Sequence, residues 1–173
     1  MCRVRPVLDV ERRAGESVDV TEYPSPEEIL IQRDSSSKTR FEYDRVFAPG
    51  SEQQGVFEAV APLCISALDG YNVCIFAYGQ TGSGKTFTME GSRDSPGVSP
   101  RAIADLFRVA NDLQDTWAFS FTFSMIEIYN EAVLDLLDSK KGKEKLDVRQ
   151  TPEGNVVPGL TEVQVNPVDR ITR

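Results

Sequence analysis

Gly79-Gln80-Thr81-Gly82-Ser83-Gly84-Lys85-Thr86 fits the pattern G-x-x-x-x-G-K-[ST], and each residue type in it has a task in holding a polyphosphate. The glycines at 79, 82 and 84 let the backbone bend with its N–H groups turned inward around phosphate oxygens, and the N-terminus of a following helix adds about half a positive charge. The Lys85 ammonium is placed to reach the β- and γ-phosphates, and the Thr86 hydroxyl to ligate a Mg²⁺ that bridges them. The pattern therefore predicts binding of a Mg²⁺-nucleoside triphosphate and is silent on what its hydrolysis would drive. The bland alternative, a flexible glycine turn with a solvated lysine, is disfavoured by the apolar run just before it.

Other carboxylates suit such chemistry less well. Asp94-Ser-Pro-Gly97 has the form of a D-x-x-G switch, and Val133-Leu134-Asp135 that of a metal-binding carboxylate at a strand end. Neither follows a convincing buried strand, so both read as decoys. Glu127, at the end of an alternating run, reads as a structural carboxylate. The guanine-reading pattern Asn-Lys-x-Asp does not occur in the sequence, which favours adenine.

The elements that must position the loop follow from periodicity. Asn72–Tyr78 is a short, almost wholly apolar run closed by a glycine-rich turn, the signature of a buried parallel strand. Upstream, Ser51 and Glu52 offer an N-cap, and Val56, Phe57, Val60, Leu63, Cys64 and Leu68 recur at helical spacing until Gly70, predicting a helix over 52–69. Downstream, Ser99 caps a second amphipathic helix with Ile103, Leu106, Phe107, Ala110 and Leu113 on one stripe, running to about Gln114. Trp117, Phe119, Phe121, Phe123 and Met125 alternate with small or polar partners, a strand period. Glu131–Leu137 suggests a short helix and Lys140–Lys145 a solvated loop. Leu146–Arg149 and Val156–Val165 suggest strands around the turn at 151–154, and Asn166 with Pro167 the start of another helix. Residues 1–50 alternate β-rich runs (Val18–Val20, Ile29–Ile31, Phe41–Tyr43) with turn formers, among them the Ser35–Ser37 cluster, which suggests small antiparallel hairpins. Alternating strands and helices without internal repeats indicate an α/β sandwich.

Composition bounds the function. The 173 residues are enough for one domain or part of one, with 40% hydrophobic and 27% charged residues, as in ordinary globular proteins. Nineteen basic against 27 acidic residues give a formal charge of −8, which disfavours nucleic acid and anionic membranes as partners. Cys2, Cys64 and Cys74 form no C-x-x-C pair and no histidine is present, so the usual zinc sites cannot be built and the cysteines read as reduced thiols of a cytosolic protein. The start of the chain lacks the basic and apolar segments of a secretory signal, and no apolar run approaches about 18 residues.

Arg3-Val-Arg-Pro6, Asp44-Arg-Val-Phe47, Gly70–Thr86, Thr88-Met-Glu-Gly91 and Glu127-Ile-Tyr-Asn-Glu131 occur in one order and spacing, and together they resemble the kinesin motor domain over nearly the whole chain. The resemblance implies a P-loop NTPase three-layer α/β sandwich with a small N-terminal β-hairpin lobe, and ATP with Mg²⁺ as ligands. It also implies cytoplasmic microtubules as the partner, and a parent protein dimerised by a coiled coil. It carries Arg3, Arg5 and Pro6 over as contacts beside the adenine, with a basic edge strand as the alternative. Phe87 falls where many kinesins have a histidine near the base, and an aromatic ring there still suits stacking. Val157-Pro-Gly-Leu-Thr-Glu-Val163 looks most like the C-terminal motor class, whose members generally move toward microtubule minus ends.

Kinesins sense the γ-phosphate with a Ser-Ser-Arg switch I and a DLAGSE-type switch II. Ser35–Ser37, followed by Lys38, is a hairpin turn and not a substitute. The chain is therefore expected to be a partial motor domain, residues 1–173, that ends before both switches and before the main microtubule-binding elements. It is expected to bind nucleotide and hydrolyse it poorly, since groups that position water and stabilise transition-state charge are worth roughly 10³ or more in rate. The alternative is a non-catalytic nucleotide-binding or regulatory isoform. A small metabolite kinase would need an arginine-rich lid and an acceptor pocket, and the sequence offers neither.

Overall fold

In the computed structural model of the chain, residues 1–15, 21–34, 36–139, 145–152 and 154–165 are described. They fall into two units, Met1–Val109 and Ala110–Arg173. The expected strand at Val18–Val20, the basic loop from Lys140 and the helix start at Asn166 lie wholly or mostly outside the described residues.

In the first unit, β1 (Cys2–Arg3) is followed by the one-and-a-half-turn helix α1 (Asp9–Ala14) and a meander of β2 (Thr21–Ser25), β3 (Glu28–Gln32) and β4 (Lys38–Glu42). The meander is the expected hairpin lobe, and its alternation puts Ile29 in the interior, 3% exposed. At the β3–β4 turn, Asp34 accepts hydrogen bonds from the backbone N–H of Ser36 and Ser37 and from both hydroxyls. β5 (Val46–Phe47) returns to pair in parallel with β1, which sets Arg3 opposite Phe47.

The helix expected over 52–69 is two: α2 (Gln53–Glu58) and α3 (Ala61–Leu68). Pro62, in the first turn of α3, has no N–H to donate to the Glu58 carbonyl, so the ladder breaks there. Val60 and Leu63 instead donate three residues back, to Phe57 and Val60. The N-cap position belongs to Glu52, without a side-chain cap, while the Ser51 hydroxyl donates to the Ala48 carbonyl. Val56, Phe57, Val60 and Cys64 still form one buried stripe and pack with Phe47 and Val98 as the core. Helix α4 (Lys85–Met89) follows the glycine loop, and α5 (Val98–Asp112) starts one residue before Ser99, placing that residue inside the first turn rather than at the cap.

The largest departure concerns Asn72–Tyr78, which is not a strand: among the described residues no strand pairs with it. A strand exists only through its ladder partners. The described strands form five sheets of two or three strands rather than one central sheet. Ile75 packs against the core, but Phe76 is 87% exposed and Tyr78 fully so. The chain is a mixture of helices and strands, as an α/β protein requires.

In the second unit, the expected strand over 117–125 shrinks to β6 (Phe121–Phe123), paired antiparallel with β11 (Val163–Val165). The amides of Thr116 and Trp117 still bond the Leu113 carbonyl, so Trp117 belongs to the helix exit. Where a helix is expected over 131–137, β7 (Ile126–Tyr129) and β8 (Ala132–Asp135) form a hairpin. Asn130 and Glu131 both have positive φ, 47° and 61°, the backbone of a primed two-residue turn that suits the twist of a hairpin. β9 (Arg149–Thr151) and β10 (Gly154–Val156) pair across the expected turn, while Leu146 makes only an isolated bridge to Val133. No helix among the described residues is long and apolar enough to cross a membrane.

Candidate nucleotide-binding site

The loop before α4 needs its glycines for their positive φ, +80° at Gly82 and +95° at Gly84. A Cβ at residue 79 would lie 2.5 Å from the Ser83 Oγ, and Gly79 itself sits at φ +154°. The Ser83 amide donates to the Gln80 carbonyl at 3.2 Å, making the bend. Gly84, at φ +95°, holds the N-cap position of α4, and no side chain caps that end. The loop and the first helical turn thus present backbone N–H groups together, the arrangement that favours an anion.

Lys85 closes this loop on itself. Its Nζ donates to the carbonyl oxygens of Gly79 at 2.7 Å and Gln80 at 2.8 Å, leaving one of its three N–H groups. Thr86 and Phe87 are exposed on the first turn of α4, as are Thr81 and Gly82 in the loop. A Thr hydroxyl suits Mg²⁺, which is normally held by few protein oxygens together with phosphates and water.

Arg5, in the segment after β1, passes beside the loop, and Arg3, on β1, reaches α4. Arg5 Nη2 donates to the Glu11 carboxylate of α1, whose other oxygen accepts the Leu8 amide. That pairing raises the Arg5 pKa and lowers that of Glu11. The Arg5 side chain passes 3.9 Å from where a Cβ at Gly84 would be, and its Nη1 is buried with no partner among the described residues. Pro6 is exposed just beyond. Arg3 faces inward: Nη1 donates to Gln53 Oε1 at 2.7 Å and Thr88 Oγ1 at 3.0 Å, and Nη2 to the Ser51 carbonyl at 3.2 Å. Its guanidinium carbon lies 5.2 Å from the centroid of the Phe87 ring, a cation–π contact. Burial of the guanidinium lowers the Arg3 pKa.

The structure therefore brings Arg3, Arg5, Gly79–Thr86 and Phe87 together, Arg3 through the Phe87 ring. Sequence reasoning missed Gln53. The signal was present, because Gln53 occupies the position of the apolar stripe Val56, Phe57, Val60 at helical spacing, and a polar residue on such a stripe is buried only with partners.

The residues fit a nucleotide. A glycine loop held at positive φ, an ammonium at its mouth and a buried guanidinium N–H with no partner among the described residues are the complement of a polyphosphate. Although the whole chain carries −8, Gly70–Gly84 contains no charged residue, which leaves Lys85 as the charge that closes the loop. Behind the loop lies a cavity of about 370 Å³ walled by Phe47, Val60, Ile75 and Val98 on its apolar side. A larger open groove of about 610 Å³ on the hairpin lobe is lined by Glu27, Glu28, Glu42 and Asp44, which repel phosphate.

The decoys read as decoys. Asp135 is 4% exposed, and its carboxylate is consumed by the amides of Leu137, Asp138 and Thr161. Those bonds, the Thr161 side chain foremost, lower its pKa. Asp94–Gly97 is a tight turn closed by the Ser92 and Ser95 backbones and a Gly91–Pro96 bridge, and Glu127 is exposed on β7. Among the described residues no group of three or more histidine, cysteine or acidic side chains could hold a metal.

The family model "Kinesin motor domain" matches residues 3–173. Kinesin-like protein KIN-14R of Oryza sativa subsp. japonica is 45% identical over 170 residues, covering 95% of this chain and 17% of the relative. Kinesin-like protein KIN-14S of Arabidopsis thaliana is 44% identical over 175 residues, covering 98% and 23%. Kinesin-like protein KIN-14R of Arabidopsis thaliana is 40% identical over 173 residues, covering 98% and 16%. The chain thus spans less than a quarter of the length of these curated relatives. All three carry the KIN-14 designation, in keeping with the class resemblance at Val157–Val163.

Proposed function

The chain belongs to the kinesin motor domain family, and from that premise we propose that it is the ATP-binding portion of a microtubule-based motor that couples Mg²⁺-ATP hydrolysis to movement. The glycine loop closed by Lys85 and flanked by Arg5, within an otherwise acidic chain, supports this reading most. Gly79–Gly84 cradles the phosphates with backbone N–H groups. Lys85 exchanges its carbonyl partners for the β- and γ-phosphates, and Arg5 turns its spare N–H to the nucleotide. Phe87 offers a ring to the base, with Pro6 at the same edge. Mg²⁺, held by Thr86, supplies charge neutralisation at the phosphate oxygens when bound.

Binding and orientation are what these side chains do well. Fast hydrolysis also requires groups that position water and stabilise charge on the transferred phosphoryl, and neither a Ser-Ser-Arg nor a DLAGSE motif occurs in these 173 residues. The 173 residues alone therefore bind Mg²⁺-ATP and turn it over slowly. We assign microtubule contacts, coiled-coil dimerisation and cytoskeletal location to the motor of which this chain is the ATP-binding portion.

The exposed, unpaired Asn72–Tyr78 run favours one second reading, a non-catalytic nucleotide-binding module that pairs with another polypeptide. Phosphate release from Mg²⁺-ATP, measured with and without microtubules, separates the two. Turnover stimulated by microtubules in the protein extended to full motor length supports the motor reading. Nucleotide binding without stimulation at either length contradicts it and favours the second.

A further inference from the structure

We propose that Gln53 is a positioning residue of the nucleotide site, holding the Arg3–Phe87 pair as a platform for the base; this rests on the nucleotide-binding reading above. Gln53 is 3% exposed, and a buried amide must satisfy both of its ends. Its Oε1 accepts the Arg3 Nη1 hydrogen bond at 2.7 Å, and its Nε2 donates to the Phe87 carbonyl at 2.6 Å. One side chain at the start of α2 thus ties β1 to the helix that carries the phosphate loop.

The second bond answers a specific need. The last carbonyls of a helix have no intrahelical donor. In α4 both the Glu90 and the Gly91 amides go to the Thr86 carbonyl, and Gln53 takes the next one, that of Phe87. The same amide therefore fixes the backbone of Phe87 and the cation stacked on its ring. Arg3 covers one face of that ring, and the side chain remains half exposed, 49%, so its other face is open to an aromatic base. Arg3 in this arrangement acts through Phe87 rather than by reading the base edge, since its Nη atoms are held by Gln53, Thr88 and Ser51.

The platform concerns the base and not the phosphates, which gives a readout that general loosening of the fold would not move. Dissociation constants for Mg²⁺-ATP and Mg²⁺-tripolyphosphate are to be measured on the 173-residue chain and on Gln53→Met and Gln53→Glu. Gln53→Met, similar in size but without either hydrogen bond, weakens ATP about tenfold and tripolyphosphate less than about twofold. Gln53→Glu keeps the acceptor for Arg3 but loses the donor to the Phe87 carbonyl, and it too weakens ATP more than tripolyphosphate. Equal weakening of both ligands, or no weakening of either, overturns the proposal. Equal affinity of the unsubstituted chain for ATP and tripolyphosphate also overturns it while leaving the phosphate cradle standing. Failure of that chain to bind either ligand overturns the nucleotide reading itself, and the platform with it.

Discussion

The Lys85 ammonium donates a 2.7 Å hydrogen bond to the carbonyl oxygen of Gly79, six residues earlier, so the glycine loop is buttoned by the cation that the proposed function assigns to phosphate. The arrangement keeps a lysine ordered at the loop mouth, and it makes carbonyl and phosphate oxygens rivals for the same N–H groups.

Replacing that side chain removes a charged donor from the proposed polyphosphate site. Lys85→Ala is expected to weaken Mg²⁺-ATP binding by about 100-fold or more, on the order of 3 kcal/mol. Far-UV circular dichroism should be unchanged, because α4 keeps its backbone ladder. Undiminished affinity, measured by fluorescent-nucleotide titration, would refute the cradle assignment.

Asp135 gives a pH signature in the second unit. Its folded pKa is depressed by the hydrogen bonds it accepts, so its carboxylate stabilises the fold above the ordinary range near 4. That contribution disappears as pH falls through the lower folded value. The melting temperature of Asp135→Asn should therefore lie below that of the unsubstituted chain at pH 7, with the gap narrowing below about pH 4. Asp34, held at about 2 by the Ser37 and Ser36 groups, behaves the same way on the hairpin lobe, and Asp34→Asn separates its share. A gap independent of pH would show that the Asp135 charge plays no part.

The three thiols differ in access. Cys74 is exposed in the unpaired run, Cys2 is half-buried and Cys64 is buried in the core. Desolvation raises the pKa of both Cys2 and Cys64, which holds them as thiols. Maleimide labelling followed by mass spectrometry is expected to modify Cys74 first and Cys64 last. Protection of Cys74 would mean that the run is covered in solution.

How much of this was legible in the sequence depends on how local the cause is. The glycine loop, α4, α5 and the hairpin lobe follow from contiguous patterns, and they stand where spacing puts them, give or take a residue at Ser99. The 52–69 helix broke because one missing N–H at Pro62 outweighs a continuous apolar stripe. The helix expected at 131–137 is a strand because two left-handed residues, Asn130 and Glu131, fold the chain back onto Ile126–Tyr129. That turn chemistry was readable in Asn130 but was outranked by the Leu and Val spacing. Asn72–Tyr78 has the composition of a buried strand, but composition supplies no partner, and pairing is the nonlocal part of a sheet. The apolar stripe marks Gln53 as buried, but its partners, 34 and 50 positions away, are nonlocal in the same way.

The exposed run has a consequence for handling the protein. Phe76 and Tyr78, on an apolar segment without charge, form an exposed apolar patch open to other chains. The unsubstituted chain is expected to associate at micromolar concentration, and Phe76→Lys to shift it toward monomer in sedimentation velocity. A monomer with a sharp cooperative melt before any substitution would contradict the reading.

The most direct test is equilibrium titration of the purified 173-residue chain with fluorescent ATP in the presence of Mg²⁺, repeated with EDTA. Saturable binding that weakens at least about tenfold when Mg²⁺ is removed is the predicted result, since an ion held by Thr86 would neutralise phosphate charge. Absence of saturable binding, or binding indifferent to Mg²⁺, would contradict the proposal that this loop is the ATP site.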